Sequence, residues 1–187
     1  AVAVIKHTNP CGLAIHKDPA EAYRRAFAGD PVSAYGGIVA FNCRVTIEAA
    51  TAMSSVFYEV VVAPDYDPEA LDMLKKKRNL RILATALNNT GTTTLETRQI
   101  SGGLLVQTPD FLDEDPAGWE TATKRKPSTT ELKDLSFAWK ACKHIKSNAI
   151  VLAKEKTLIG MGAGQPNRVI SVQLAAQAAG EKAIGTV

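Results

Sequence analysis

Between Ile38 and Ala84 short apolar runs alternate with segments whose starts carry helix caps, and that alternation restricts the chain to a sheet layered with helices. Ile38-Val39-Ala40-Phe41, Val60-Val61-Val62-Ala63 and Leu80 to Ala84 read as strands. The spacing between them predicts a helix from about Ile47 to Phe57, with Ala50, Met53 and Phe57 on one face. A second helix opens at Asp67-Pro68-Glu69 and runs through Lys75-Lys76-Lys77-Arg78, whose cations oppose the dipole of a solvated helix end. Upstream, Ala1 to Ile5 is a strand-like run. Asp18-Pro19-Ala20-Glu21 caps a helix that buries Tyr23, Ala26 and Phe27 and ends at Gly29, and Asp30 to Gly37 reads as a loop.

The second half is organised differently. Asn88 to Thr94 reads as a polar loop, and a strand-like segment with the loop Ser101-Gly102-Gly103 inside it follows. Asp110 to Lys126 is acidic, then basic, and irregular. Ser128-Thr129-Thr130-Glu131 is a capping box for the longest helix, with Leu132, Leu135, Trp139, Cys142 and Ile145 on one face and a stop at Ser147-Asn148. Ala149 to Ala153 and Thr157 to Met161 form a hairpin around Lys154-Glu155-Lys156. Gly162-Ala163-Gly164-Gln165-Pro166-Asn167 then leads into a helix from Arg168 to Ala179, with Gly180 as its C-cap.

Composition narrows the function classes. The chain has 187 residues, 45% hydrophobic and 22% charged, enough for a buried core in one or at most two domains. A net charge of +3, from 22 basic and 19 acidic residues without a long basic face, gives no sign of nucleic-acid binding. Three cysteines, Cys11, Cys43 and Cys142, with no Cys-x-x-Cys pair, argue against a disulfide framework and for a reducing, cytoplasmic setting. No apolar run approaches the roughly 20 residues that a membrane-spanning helix needs. The chain starts in an apolar run without a methionine and stops as another begins, so it reads as part of a longer protein.

The stretch with the most chemistry is Lys6-His7-Thr8-Asn9-Pro10-Cys11-Gly12, which follows the first strand-like run and turns on Asn-Pro and Gly. A lysine and a histidine at a strand end place a cation and a proton acceptor side by side. Taken alone, the pair reads first as an exposed strand terminus with incidental polar residues. A zinc deaminase would need His-x-Glu and Pro-Cys-x-x-Cys; Pro10-Cys11 is present, but Ala14 takes the second cysteine position and no His-x-Glu occurs. Gly160-Met161-Gly162-Ala163-Gly164 lacks the spacing of a dinucleotide loop, and neither a Walker loop nor a G-x-S-x-G elbow is found. His16 reads as a surface residue and His144 as structural.

Six motifs in a fixed order carry a resemblance. They are Lys6 to Gly12, Asp30-Pro31-Val32-Ser33-Ala34-Tyr35-Gly36-Gly37, Val62-Ala63-Pro64-Asp65-Tyr66, Arg98-Gln99-Ile100-Ser101-Gly102-Gly103, Lys146-Ser147-Asn148-Ala149 and Gly162-Ala163-Gly164-Gln165. With them the chain resembles the transformylase part of the AICAR transformylase/IMP cyclohydrolase family of purine biosynthesis. The resemblance implies a three-layer α/β/α, cytidine-deaminase-like fold, a mixed sheet flanked by helices, without a catalytic metal. It implies formyl transfer from the co-substrate 10-formyltetrahydrofolate to the 5-amino group of AICAR, in a homodimer that shares its active site. Residue by residue, it implies catalytic roles for Lys6, His7 and Asn148, nucleotide contacts at Gly36 and Glu59, and a folate contact at Arg168. Tyr35 stands where phenylalanine is usual, Pro166-Asn167 replaces commoner residues, and Ile170 lies where a polar residue is usual. Residues 1–187 would then be an incomplete transformylase domain, without the preceding cyclohydrolase domain and the C-terminal segment. Two alternatives stay open on the residues alone: a deaminase-like hydrolase, and a non-catalytic nucleotide-binding or oligomerisation module.

Overall fold

The computed structural model describes residues 1–87, 95–110 and 115–187. The polar loop expected at Asn88 to Thr94 lies outside the described residues, as does part of the irregular Asp110 to Lys126 segment.

The architecture is α/β, with a mixed seven-stranded sheet flanked by helices. Its strands are β1 (Val2–Lys6), β2 (Asn9–Ala14), β3 (Gly37–Phe41), β4 (Tyr58–Ala63), β5 (Arg81–Ala84), β8 (Ile150–Lys154) and β9 (Thr157–Gly162), in the order β5-β4-β3-β1-β2-β9-β8. β3, β4 and β5 run parallel to one another, whereas β1 is antiparallel to both β2 and β3, and β9 to both β2 and β8. A separate hairpin joins β6 (Glu96–Ile100) to β7 (Gly103–Gln107). The helices are α1 (Pro19–Phe27), α2 (Pro31–Ala34), α3 (Ile47–Ala52), α4 (Pro68–Lys75), α5 (Thr129–Lys143) and α6 (Arg168–Ala179).

The larger core lies on one sheet face, where alternate strand residues Val2, Val4, Val39, Phe41, Val61 and Ala63 meet α1, α3 and α4. α1 buries Tyr23 and Ala26, with Phe27 packed at the edge, as its spacing indicates. α6 covers the same face further along, and there the contact is backbone against backbone. Its small residues Ser171, Ala175 and Ala179 lie on Gly160 and Gly162 of β9. α5 covers the opposite face of β8 and β9, with Phe137 and Ala138 in one cluster with Leu13, Val151 and Met161.

Several local expectations are corrected. The chain does not turn at Asn9-Pro10 or Cys11-Gly12; those residues lie in β2, and the turn is His7-Thr8, both at positive φ (49° and 65°). Two residues at positive φ between paired Lys6 and Asn9 make a type I′ hairpin. The loop after Gly29 holds α2, capped by the Asp30 carboxylate on the Ser33 N–H at 2.9 Å. α3 stops at Ala52 rather than Phe57, and the Lys77 ammonium donates to the carbonyls of Met53 and Val56 at 3.2 and 2.8 Å. Lys77 thus serves another helix's end instead of being a solvated end of its own. On α5 the buried line is Phe137, Ala138 and Ala141, continued by Ile145; Trp139 points outward and meets the Trp119 ring edge-on at 6.2 Å.

Candidate active site

Because β1 is antiparallel to β3, β3 is parallel to β4, and β2, β9 and β8 alternate in direction, particular strand ends share one edge of the sheet. The C-terminus of β1 lies with the N-termini of β2, β3, β4 and β8 and with the C-terminus of β9. Lys6, His7, Gly36, Glu59, Asn148 and Arg168 all sit at this edge. The β1–β2 tip is central in the strand order, with Gly36 and Glu59 to one side and Asn148 and Arg168 to the other.

On the first side, Lys6 Nζ donates to the Tyr35 carbonyl at 2.5 Å. The chain can reach that position because Gly36 adopts φ +67° and its N–H donates to Phe57 O at 2.8 Å. A Cβ on Gly36 would stand 3.2 Å from Lys6 Nζ, so the ammonium lies directly over the glycine backbone. The exposed rings of Tyr35 and Phe57 meet at 5.4 Å and wall this corner. Glu59 is the extra residue of a bulge, since Gly37 pairs with Tyr58 and Ile38 with Val60. Bulges beside sites re-aim side chains. The Glu59 carboxylate accepts from Arg81 Nη1 at 2.7 Å, and both line a hollow of about 400 Å³ with Phe57, Arg78, Asn79 and Leu80.

On the other side, Asn148 occupies the joint between α5 and β8. Its Nδ2 donates to the carbonyls of Gln165 and Pro166 at 2.7 and 3.1 Å, and its backbone N–H also reaches Gln165 O. Since both side-chain partners are carbonyl oxygens, the amide orientation is fixed, with Oδ1 as the acceptor end. Arg168 opens α6 behind the Asn167 cap, whose side chain accepts from Val169 N at 2.8 Å. A cation there gains nothing from the helix dipole, so the helix itself gives no reason for an arginine at this place. Asn9 Oδ1 accepts from Lys146 N at 3.4 Å and links the His7 hairpin to this side.

His7 is exposed at the turn. Cys11, just behind it, is no nucleophile: burial first, then the nearby Asp30 charge, push its thiol up to about 11, and Sγ lies 3.4 Å from Val4 O. Beneath the tip an apolar hollow of about 490 Å³ is lined by Ala3, Ile5, Thr8, Pro10, Leu13, Ala141 and His144. A further hollow of about 460 Å³, between the C-terminal ends of α1 and α6, contains none of the six candidate residues.

Sequence reasoning missed Arg81, Phe57 and Asn9. Only Asn9 had a local signal, as part of the first motif; the other two depend on strand register. No helix among the described residues is long and apolar enough to cross a membrane.

A family profile described as "AICARFT/IMPCHase bienzyme" matches residues 1–178. The chain is 50% identical over 197 residues to the "Bifunctional purine biosynthesis protein purH" of Dictyostelium discoideum, covering 100% of this chain and 36% of that protein. It is 48% identical over 187 residues to the "Bifunctional purine biosynthesis protein PurH" of Nostoc sp., covering 100% and 37%. The identity to the protein of the same name from Prochlorococcus marinus subsp. pastoris is 50% over 190 residues, covering 100% and 36%. The chain thus spans little more than a third of the length of these relatives.

Proposed function

Because the chain belongs to the AICARFT/IMPCHase bienzyme family of purine biosynthesis, we propose that its sheet edge performs the formyl-transfer half of that family's chemistry. The observation that carries the proposal is the convergence of six positions, from Lys6 to Arg168, on one edge from separate segments of the chain. AICAR and 10-formyltetrahydrofolate are the substrates.

The acceptor amine of AICAR is conjugated with its ring and carboxamide, so it needs to lose a proton as it attacks the formyl carbon. His7, exposed on the two-residue turn, takes that proton. The new C–N bond gives a tetrahedral oxyanion. The Lys6 ammonium stabilises it or protonates the departing folate nitrogen, and collapse releases tetrahydrofolate and the formylated nucleotide. Asn148 presents Oδ1 to an N–H of the nucleotide and holds the amine within attacking distance. The bare backbone of Gly36 lets the nucleotide come close, Glu59 accepts from its hydroxyl groups, and Arg168 meets an acidic group of the folate. The proposal includes a homodimer with the site shared between protomers, which the family resemblance implies.

The test is formyl transfer by a chain of the relatives' full length that carries these residues, followed as tetrahydrofolate release. Lys6→Ala should lower kcat by roughly 100-fold or more, the range seen when an oxyanion donor is removed. Unchanged turnover in that variant would remove Lys6 from the mechanism.

A further inference from the structure

α6 touches β9 through Ser171, Ala175 and Ala179, one residue per helical turn. Alanine suffices for packing at the last two positions. At the first, the side chain carries a hydroxyl into a seam with no free space, because a Cβ on Gly162 would lie 2.0 Å from the Ser171 backbone oxygen. Ser171 is fully buried (0% exposed). A serine within a helix commonly turns its hydroxyl back to the carbonyl one turn earlier. Here Oγ reaches out of the helix and donates to the Asn148 carbonyl at 2.8 Å.

That bond completes the restraint of Asn148. Its backbone N–H and both side-chain amide hydrogens go to the Gln165 and Pro166 carbonyls, in the short segment before α6. Among the described residues, the Ser171 bond alone ties it to the body of the helix. From this geometry we infer that Ser171 is a positioning residue, which fixes the backbone of Asn148 so that Oδ1 meets the reacting nucleotide at the right angle. This inference rests on the proposed role of Asn148. Ser171 itself touches no substrate. Removing its hydroxyl leaves the seam packed and lets the 147–149 backbone shift by the fraction of an ångström to which near-attack geometry is sensitive.

The test is a double-mutant cycle in a chain of the relatives' full length. Ser171→Ala should lower kcat for formyl transfer about tenfold, the lower end for outer-shell partners, with KM for AICAR within about twofold. In an Asn148→Ala background the same substitution should change kcat less than about twofold, since nothing is left to position. A second readout uses the 187-residue chain: amide exchange at Asn148 and Ala149 should quicken in Ser171→Ala while α1 and β1 keep their protection. An equal kcat loss in both backgrounds, no loss at all, or unchanged exchange would each overturn the inference. A wild type that transfers no formyl group, or a fully active Asn148→Ala, would overturn it together with the reading beneath it. The two failures stay separable, because an error confined to Ser171 leaves the wild type active and Asn148→Ala impaired.

Discussion

A methyl group on Gly162 would fall 2.0 Å from the Ser171 oxygen, which is backbone and cannot step aside, so Gly162→Ala has to lift α6 from β9. Overpacking of that kind should cost on the order of 3 kcal/mol, read as a lowered urea midpoint. Gly36→Ala is a different case. The new methyl meets the end of the Lys6 side chain at 3.2 Å and the Phe57 ring at 3.8 Å, and the strain of φ +67° costs about 1 kcal/mol. That variant should fold and lose nucleotide affinity, since the Lys6 ammonium is pushed from the Tyr35 carbonyl; isothermal titration with AICAR against a melting curve separates the two effects. The thiols differ as well. With its pKa near 11, buried Cys11 should be alkylated last at pH 8, after the half-buried Cys43. Lys6 and His7 stood out as candidates by residue type at a strand end and were singled out by the motif around them, whereas the hydroxyl of Ser171 looked like any other small residue of an apolar helix.

Both tight hairpins of the main sheet turn on side-chain-bearing residues at positive φ, His7-Thr8 and Glu155-Lys156, where glycine or asparagine is the usual signal. The second is held from outside: Asp134 of α5 accepts from the N–H groups of Glu155 and Lys156 at 2.9 and 2.8 Å. Asp134→Ala should therefore cost about 2 kcal/mol. Lys156→Gly on that background should restore roughly half, by removing the strain at φ 54°. Equal denaturant midpoints for the single and double variants would contradict this. The β8–β9 turn was legible because the strands around it are strongly apolar. At the first hairpin Asn9-Pro10 outweighed His7-Thr8, since a proline reads as a breaker; here Pro10 pairs with Ile5 beside the bulge at Cys11, a place where a strand accepts it. Helix starts read well because caps are local, and α5 carries both halves of its capping box. Its buried line did not, because the Leu132–Leu135–Trp139 stripe faces the Pro116–Pro127 segment rather than the sheet.

At the scale of the molecule, the alternation of strands and helices made the α/β class legible, but not the insertion of β1 and β2 between β3 and β9 that makes a single edge of distant segments. Long-range pairing leaves no trace in local periodicity, so Arg81 beside Glu59 could not be foreseen. Charge adds one global expectation. Arginine hydrogen bonds hold Glu131 near pKa 2, below its ordinary 4.5, and hold Glu21 lower as well, while the Tyr66 backbone N–H and then Arg44 lower Asp65. Groups depressed in the fold contribute stability above their unfolded values and lose it as pH falls. The melting temperature should therefore be flat from pH 7 to about 5 and drop between pH 4.5 and 2. The most direct measurement is formyl transfer from 10-formyltetrahydrofolate to AICAR by a chain of the relatives' length, with and without His7→Ala. We expect an active wild type and a variant at least about 100-fold slower that still binds AICAR. A folded, dimeric wild type with no transfer, or a His7→Ala variant as fast as wild type, would contradict this expectation.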